Sequence, residues 1–296
     1  MDKEKLEVVK NRKGFIAALD QSGGSSGKTL LKYGIPETEY SSEEEMFELI
    51  HQMRVRVFTS KVFNSDHILG AILFYKTMMG QVDGEYTADY LWNKKQIVSF
   101  LKVDKGLQDE VNGVKLMKDI PDLKEQIEEA NRKNVFGTKM RCVIYHANEE
   151  GIQAIVDQQF EFAKTIAEGG LVPIIEPEVD INSPEKAECE TILKAKVEEK
   201  LKEWDEEKPV MFKFTIPTEA NKYLSLYDFP AVLKIVALSG GYDNNTACEL
   251  LSKNKNMIAS FSRALLEDLK ADQTPEEFDE KLNDAIVKIY NASIAE

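Results

Sequence analysis

Val210-Met211-Phe212-Lys213-Phe214 is an apolar run of strand length with one lysine inside it, and Thr215 follows. Side chains alternate along a strand, so Phe212 and Phe214 share one face and Lys213 stands on the other. A strand covered on both faces reads as a nearly continuous apolar run, which is the mark of a parallel sheet. Seven more segments of this kind flank it: Gly14–Asp20, Ile68–Phe74, Ile97–Val103, Val135–Arg141, Leu171–Glu176, Leu233–Leu238 and Met257–Phe261. The intervals between them carry helix signals. Ser41 with Glu44 reads as a capping box before Met46, Phe47, Ile50 and Met53. Asp122 with Glu125 opens a second helix, and the apolar spacing from Gly151 to Ala167 gives a third. Ser183-Pro184 places serine at an N-cap and proline at N1, and Thr274-Pro275-Glu276-Glu277 repeats that logic. The charged stretch Glu185 to Glu206 reads as a solvated outer face. Strand and helix alternating to a count of eight, in a chain of 296 residues, predicts an α/β fold, a (β/α)8 TIM barrel. No linker interrupts it, so residues 1–296 read as a single barrel domain with a C-terminal helix from about 274.

The ends of these strands carry charge in a regular way. In Phe100-Leu101-Lys102-Val103-Asp104 the two apolar residues share one face and Lys102 and Asp104 the other. Lys139 and Arg141 pair in the same sense, as do Glu176 and Glu178, and Asp20 closes the first strand. The bulky faces must pack outward on helices, so the charges converge inside at the C-terminal mouth, where the active sites of such barrels lie. One lysine at a strand end commonly reaches back to water. Five strands with the same pattern do not fit that reading, because buried charges are costly unless paired or used.

Composition narrows the chemistry. Net charge is −14 with a pI of about 4.9, so a nucleic-acid partner is not expected. No apolar run approaches the ~20 residues of a membrane helix, and the N-terminus has no segment of signal-peptide length, which predicts a cytoplasmic protein without membrane contact. Cys142, Cys189 and Cys248 are far apart, and His51, His67 and His146 are not at ligand spacing, so neither a disulfide framework nor a metal site is expected. No G-x-S-x-G turn marks a serine hydrolase. What remains is lysine and carboxylate chemistry. A second cation beside an interior lysine lowers its pKa, and the neutral amine attacks a carbonyl to give a Schiff base. Carboxylates beside it can move the protons.

Two loops suit a phosphate. Ser239-Gly240-Gly241 follows the seventh strand, and Ser260-Phe261-Ser262-Arg263 follows the eighth. Glycines let backbone N–H groups close on an anion, and arginine forks onto phosphate. A third loop, Ser22-Gly23-Gly24-Ser25 with Lys28 behind it, could hold a second anion.

Taken together, Asp20 in Ala-Ala-Leu-Asp-Gln-Ser-Gly-Gly-Ser, Lys102-Val-Asp-Lys-Gly, Lys139-Met-Arg141, Val172-Pro-Ile-Ile-Glu-Pro-Glu178, Lys213, Leu238-Ser-Gly-Gly241 and Ser260-Phe-Ser-Arg263 resemble the motifs of class I fructose-bisphosphate aldolase, in its short bacterial form. The order and spacing match from about residue 13 to 265. The resemblance implies that Lys213 forms the Schiff base and that Glu176 is its acid-base group, with Glu178 and Lys139 beside it. It implies that Asp20 takes the proton that starts carbon–carbon cleavage and that Lys102 and Arg141 orient the substrate. Ser239, Gly240, Gly241, Ser260 and Arg263 would hold one phosphate, and Ser25 and Lys28 would lie near the other. Thr29 follows Lys28 where the animal enzymes have arginine, Ser262 stands where they have glycine, and the tail ending in tyrosine is absent. The flanks of Lys213 also differ.

The expected function is thus a lyase without cofactor or metal. It would reversibly cleave fructose 1,6-bisphosphate to dihydroxyacetone phosphate and glyceraldehyde 3-phosphate in glycolysis and gluconeogenesis. Its partners would be phosphorylated ketoses and trioses. The same chemistry on tagatose or sedoheptulose bisphosphate, or transaldolase-like transfer, is the alternative. The oligomeric state, a homo-oligomer among the options, is not set by the sequence.

Overall fold

In the computed structural model, which describes residues 1–22 and 24–295, every one of these apolar segments contributes a strand. They are β1 (Phe15–Leu19), β2 (Ile68–Leu73), β3 (Val98–Lys102), β4 (Gly137–Ile144), β5 (Val172–Val179), β6 (Val210–Thr215), β7 (Val232–Leu238) and β8 (Met257–Ala259). Neighbours in sequence are neighbours in the sheet, and each pair is parallel. The Ala18 amide donates to the Phe261 carbonyl at 3.2 Å, which brings β1 against the chain just beyond β8 and nearly closes the barrel. Helices cover its outside: α1 (Lys3–Asn11), α2 (Gly24–Tyr33), α3 (Glu43–Thr59), α4 (Tyr75–Met79), α5 (Thr87–Lys95), α6 (Leu123–Arg132), α7 (Glu149–Glu168), α8 (Lys186–Glu203), α9 (Asn244–Leu251), α10 (Arg263–Leu266) and α11 (Pro275–Ser293).

Two apolar clusters show why the alternation along the strands matters. The larger joins the outward faces to the helices, and includes Phe212 and Phe214. The smaller fills the barrel and includes Ile16, Ala18, Ile72, Val98, Phe100, Val172, Ile174 and Met211. The inward set therefore changes character along each strand: Val98 and Phe100 precede Lys102, and Val172 and Ile174 precede Glu176. Apolar side chains fill the lower barrel and charged ones the upper. The Phe100 ring takes up the central volume, and two facing glycines make room for it. A Cβ on Gly70 would lie 2.9 Å from the ring. A Cβ on Gly137 would lie 2.8 Å from it and would also clash with the Val172 carbonyl. Below, Val9 of α1 packs into the same cluster and plugs the N-terminal end.

The structure corrects several boundaries. Ser42, not Ser41, caps α3 by accepting from the Glu45 amide, while Ser41 donates to the Glu45 carboxylate. Asp122 makes no cap hydrogen bond; one carboxylate oxygen is held by Lys105 at 2.8 Å and the other accepts from the Gln126 side chain at 3.3 Å. Ser183 and Pro184 lie in a turn, and α8 begins at Lys186. One face of α8 is not solvated: Leu193 and Val197 are buried, and so is the Lys186–Glu190 ion pair. Strand β4 runs on to Ile144, where Val114–Lys115 pairs with it antiparallel. The helix expected from about 274 is α11, with Thr274 and Glu277 making a full capping box.

Candidate active site

The upper barrel opens into a cavity of about 690 Å³ at the C-terminal ends of the strands. All the site residues expected from the sequence line it. Gly23, part of the third loop, lies outside the described residues.

At its floor, charges from β1, β3, β4, β5 and β6 meet. Lys139 Nζ lies 2.7 Å from Asp20 Oδ2 and 3.1 Å from Glu176 Oε2, with Asp104 Oδ2 at 4.0 Å. Burial disfavours its charge, but Asp20, Glu176 and Asp104 outweigh that and hold the Lys139 ammonium well above the usual lysine range. Burial likewise opposes the Asp20 carboxylate, yet Lys139, Lys213 and Lys102 hold it well below the usual carboxylate range. Lys102 Nζ is bound by Asp104 Oδ1 at 2.7 Å and by the Asp104 carbonyl at 2.8 Å. Arg141 Nε donates to Glu178 Oε2 at 2.6 Å. Lys213 Nζ has a single carboxylate neighbour in this set, Glu176 Oε1 at 3.1 Å. Glu176 thus stands between Lys213 and Lys139, with one oxygen toward each.

The strands are held in register at this level by a residue outside the expected set. Thr215, at the end of β6, donates to the Val179 carbonyl at 2.6 Å, and its hydroxyl oxygen accepts from the Val179 amide at 3.0 Å. This ties the strand of Lys213 to the strand of Glu176 and Glu178. Behind Glu176, the side chain of Gln159 on α7 donates to its backbone carbonyl at 3.1 Å.

The anion side lies across the cavity, after β7 and β8. Gly240 and Gly241 have φ of +64° and +120°, in the region that side chains avoid, and Tyr242 N–H closes the turn onto the Ser239 carbonyl at 3.1 Å. Ser260 lines the cavity, and its buried hydroxyl has no hydrogen-bond partner among the described residues. Arg263 makes no ion pair among the described residues, and neither does Lys28 on α2. Arg263 and Lys28 are therefore open to a ligand. Ser25 is differently placed: its hydroxyl donates to the Ser22 carbonyl at 2.8 Å and accepts from the Ser22 amide at 3.1 Å, closing its own loop. Thr29 turns back onto the Ser25 carbonyl at 2.9 Å.

Sequence reasoning did not single out Gln21 or Arg54. Gln21 lines the cavity and donates to the Ser262 hydroxyl. Arg54 lies beneath it, fully buried. The signal for Arg54 was present: Ile50, Arg54 and Val57 fall at helical spacing, so a charge sits on the apolar stripe of α3.

Comparison with known proteins bears on the whole arrangement. Residues 2–216 match the family model "Fructose-bisphosphate aldolase class-I". The chain is 56% identical over 294 residues to fructose-bisphosphate aldolase class 1 of Clostridium acetobutylicum, covering 99% of this chain and 100% of that one. Among solved structures, the fructose-bisphosphate aldolase of Plasmodium falciparum superposes with a TM-score of 0.78 at 19% identity, covering 99% of this chain and 93% of that one. A Corynebacterium glutamicum protein gives a TM-score of 0.53 at 12% identity, covering 98% and 92%. At these identities the two structures bear on the fold alone.

Proposed function

The chain belongs to the class I fructose-bisphosphate aldolases, and from that premise we propose how its own residues carry out the reversible cleavage of fructose 1,6-bisphosphate. Lys213 Nζ adds to the ketone carbon once it has given up its proton, and Glu176 Oε1, at 3.1 Å, is the nearest base to accept it. The carbinolamine then loses its hydroxyl as water, protonated by Glu176, and an iminium remains on Lys213. Asp20 takes the proton of the hydroxyl two carbons from the iminium carbon. The bond between that hydroxyl-bearing carbon and the carbon next to the iminium breaks, and its electron pair moves into the iminium to give an enamine. Glyceraldehyde 3-phosphate leaves. Protonation of the enamine and hydrolysis release dihydroxyacetone phosphate and restore the lysine.

The charge pattern supports this division of roles. Lys139 keeps its proton and serves as a fixed cation that orients Asp20 and Glu176. Arg141 is locked to Glu178 and, with Lys102, can orient the sugar hydroxyls. Arg263 and the Ser239–Gly241 turn suit one phosphate, with Ser260, whose buried hydroxyl has no partner among the described residues, beside them. Lys28 suits the other, with Ser25 shaping the loop in front of it. The chain would serve this site as one domain, working in the cytoplasm. No helix among the described residues is long and apolar enough to cross a membrane.

The single observation that carries the reading is the position of Lys213, with one carboxylate neighbour, beside Glu176. Borohydride reduction in the presence of dihydroxyacetone phosphate tests it. A stable mass adduct is expected on the peptide containing Lys213 and is expected to vanish in Lys213→Met. An adduct on another lysine, or none, would overturn the assignment.

A further inference from the structure

A cation that this mechanism does not use lies directly under the loop after β1. Arg54, on α3, is fully buried and makes no ion pair among the described residues. Its Nη1 donates to Thr77 Oγ1 on α4 at 2.6 Å. Its Nη2 donates to the Gln21 carbonyl at 2.6 Å and to the Gln21 side-chain oxygen at 3.3 Å. The amide nitrogen of Gln21 then donates to Ser262 Oγ. The guanidinium is thus the centre of a relay from α4, through the residue after Asp20, to the residue before Arg263. Taking an arginine out of water without a carboxylate contact is costly. Packing alone does not call for it, since an apolar side chain would continue the stripe of Ile50 and Val57. Burial lowers the Arg54 guanidinium to about 10, and the nearby Asp20 carboxylate acts against that.

We propose that Arg54 is a positioning residue for carbon–carbon cleavage: through Gln21 and Ser262 it fixes the spacing between Asp20 and the phosphate grip at Arg263. This rests on the roles of Lys213 and Asp20 proposed above. A phosphate held at Arg263 then presents its carbon chain to Asp20 at one set distance. Imine formation at Lys213, across the cavity floor, does not depend on that spacing. A displacement of about 1 Å at a reacting group can cost up to ~100-fold in rate.

The test separates damaged sites from slow ones. The trapped fraction is measured by borohydride reduction with dihydroxyacetone phosphate, and cleavage turnover is expressed per trapped site. Wild type, Arg54→Lys, Ser262→Ala and the double variant are compared. The expected result is a trapped fraction near that of wild type, with kcat per trapped site down about tenfold or more in each single variant. The double variant should be no slower than the slower single one, because both break the same relay. If Arg54→Lys does not fold, Gln21→Leu takes its place in the cycle. Unchanged turnover in Ser262→Ala would overturn the proposal, as would effects that multiply in the double variant. A loss confined to the trapped fraction would show a purely structural arginine and also overturn it. Failure of the wild type itself to trap would overturn the imine reading, a different outcome from any of these.

Discussion

Among the lysines at the cavity floor, Lys139 meets the most carboxylates. Lys139 meets Asp20, Glu176 and Asp104 and is held above the usual lysine range, so it is a poor nucleophile. Lys213 meets Glu176 alone. The same field acts on Asp20. Its pKa is depressed, so its contribution to stability is fully present above the unfolded value of about 3.9 and is lost as the pH falls through the folded value. Two outcomes are expected of Asp20→Asn. Cleavage slows by about 100–10,000-fold while the borohydride adduct on Lys213 still forms. Its unfolding free energy also lacks this contribution, so its deficit relative to wild type shrinks as the pH is lowered below about 4. Loss of the adduct would show that Asp20 acts in imine formation instead. The charged positions at this scale were legible in the sequence, since alternation along a strand is a local rule. Arg54 was overlooked, although its place on the stripe of α3 was visible, because a charged residue on an apolar face is ordinarily read as an exception to the stripe.

The barrel strands form where their sequences predict, and the ends of elements depend on neighbours. Thr274 and Glu277 cap α11 with contacts inside the motif, and that start was read correctly. Asp122 had the same apparent chemistry, yet Lys105 and the Gln126 side chain share its carboxylate. Strand ends behave likewise: β4 reaches Ile144, where Val179 of β5 pairs with it on one side and Val114–Lys115 on the other. Packing between elements makes the sharpest demand at Gly137, where a methyl group would meet both the Val172 carbonyl and the Phe100 ring. Gly137→Ala is expected to cost about 1–3 kcal/mol, read as a lower urea midpoint with an unchanged slope. An unchanged midpoint would mean that β4 and Phe100 can shift apart freely.

Over the whole molecule, the inward residues change from apolar to charged along the barrel axis, so one end is a core and the other a site. The −14 net charge does not describe the mouth, where Arg263 and Lys28 stand without ion pairs among the described residues. The core end is completed by Val9, which belongs to a helix that the sequence reading did not foresee. Val9→Ala should lower stability by about 1–3 kcal/mol in denaturant titration. It should leave turnover per trapped site unchanged, because it lies at the opposite end of the barrel; slowed chemistry would contradict the separation of core and site. The sequence by itself determined the strand count, the face on which each charge stands, and the family to which the motifs point. The faces follow from alternation within a few residues, and the strand count and the family from the order of such segments along the chain. Only the tertiary structure decided that Glu176 serves two lysines, that Thr215 locks β5 to β6, and that Arg54 reaches Ser262 through Gln21. Those contacts join residues far apart in the chain. Closure of the barrel brings them together, and no local pattern encodes which partners then meet.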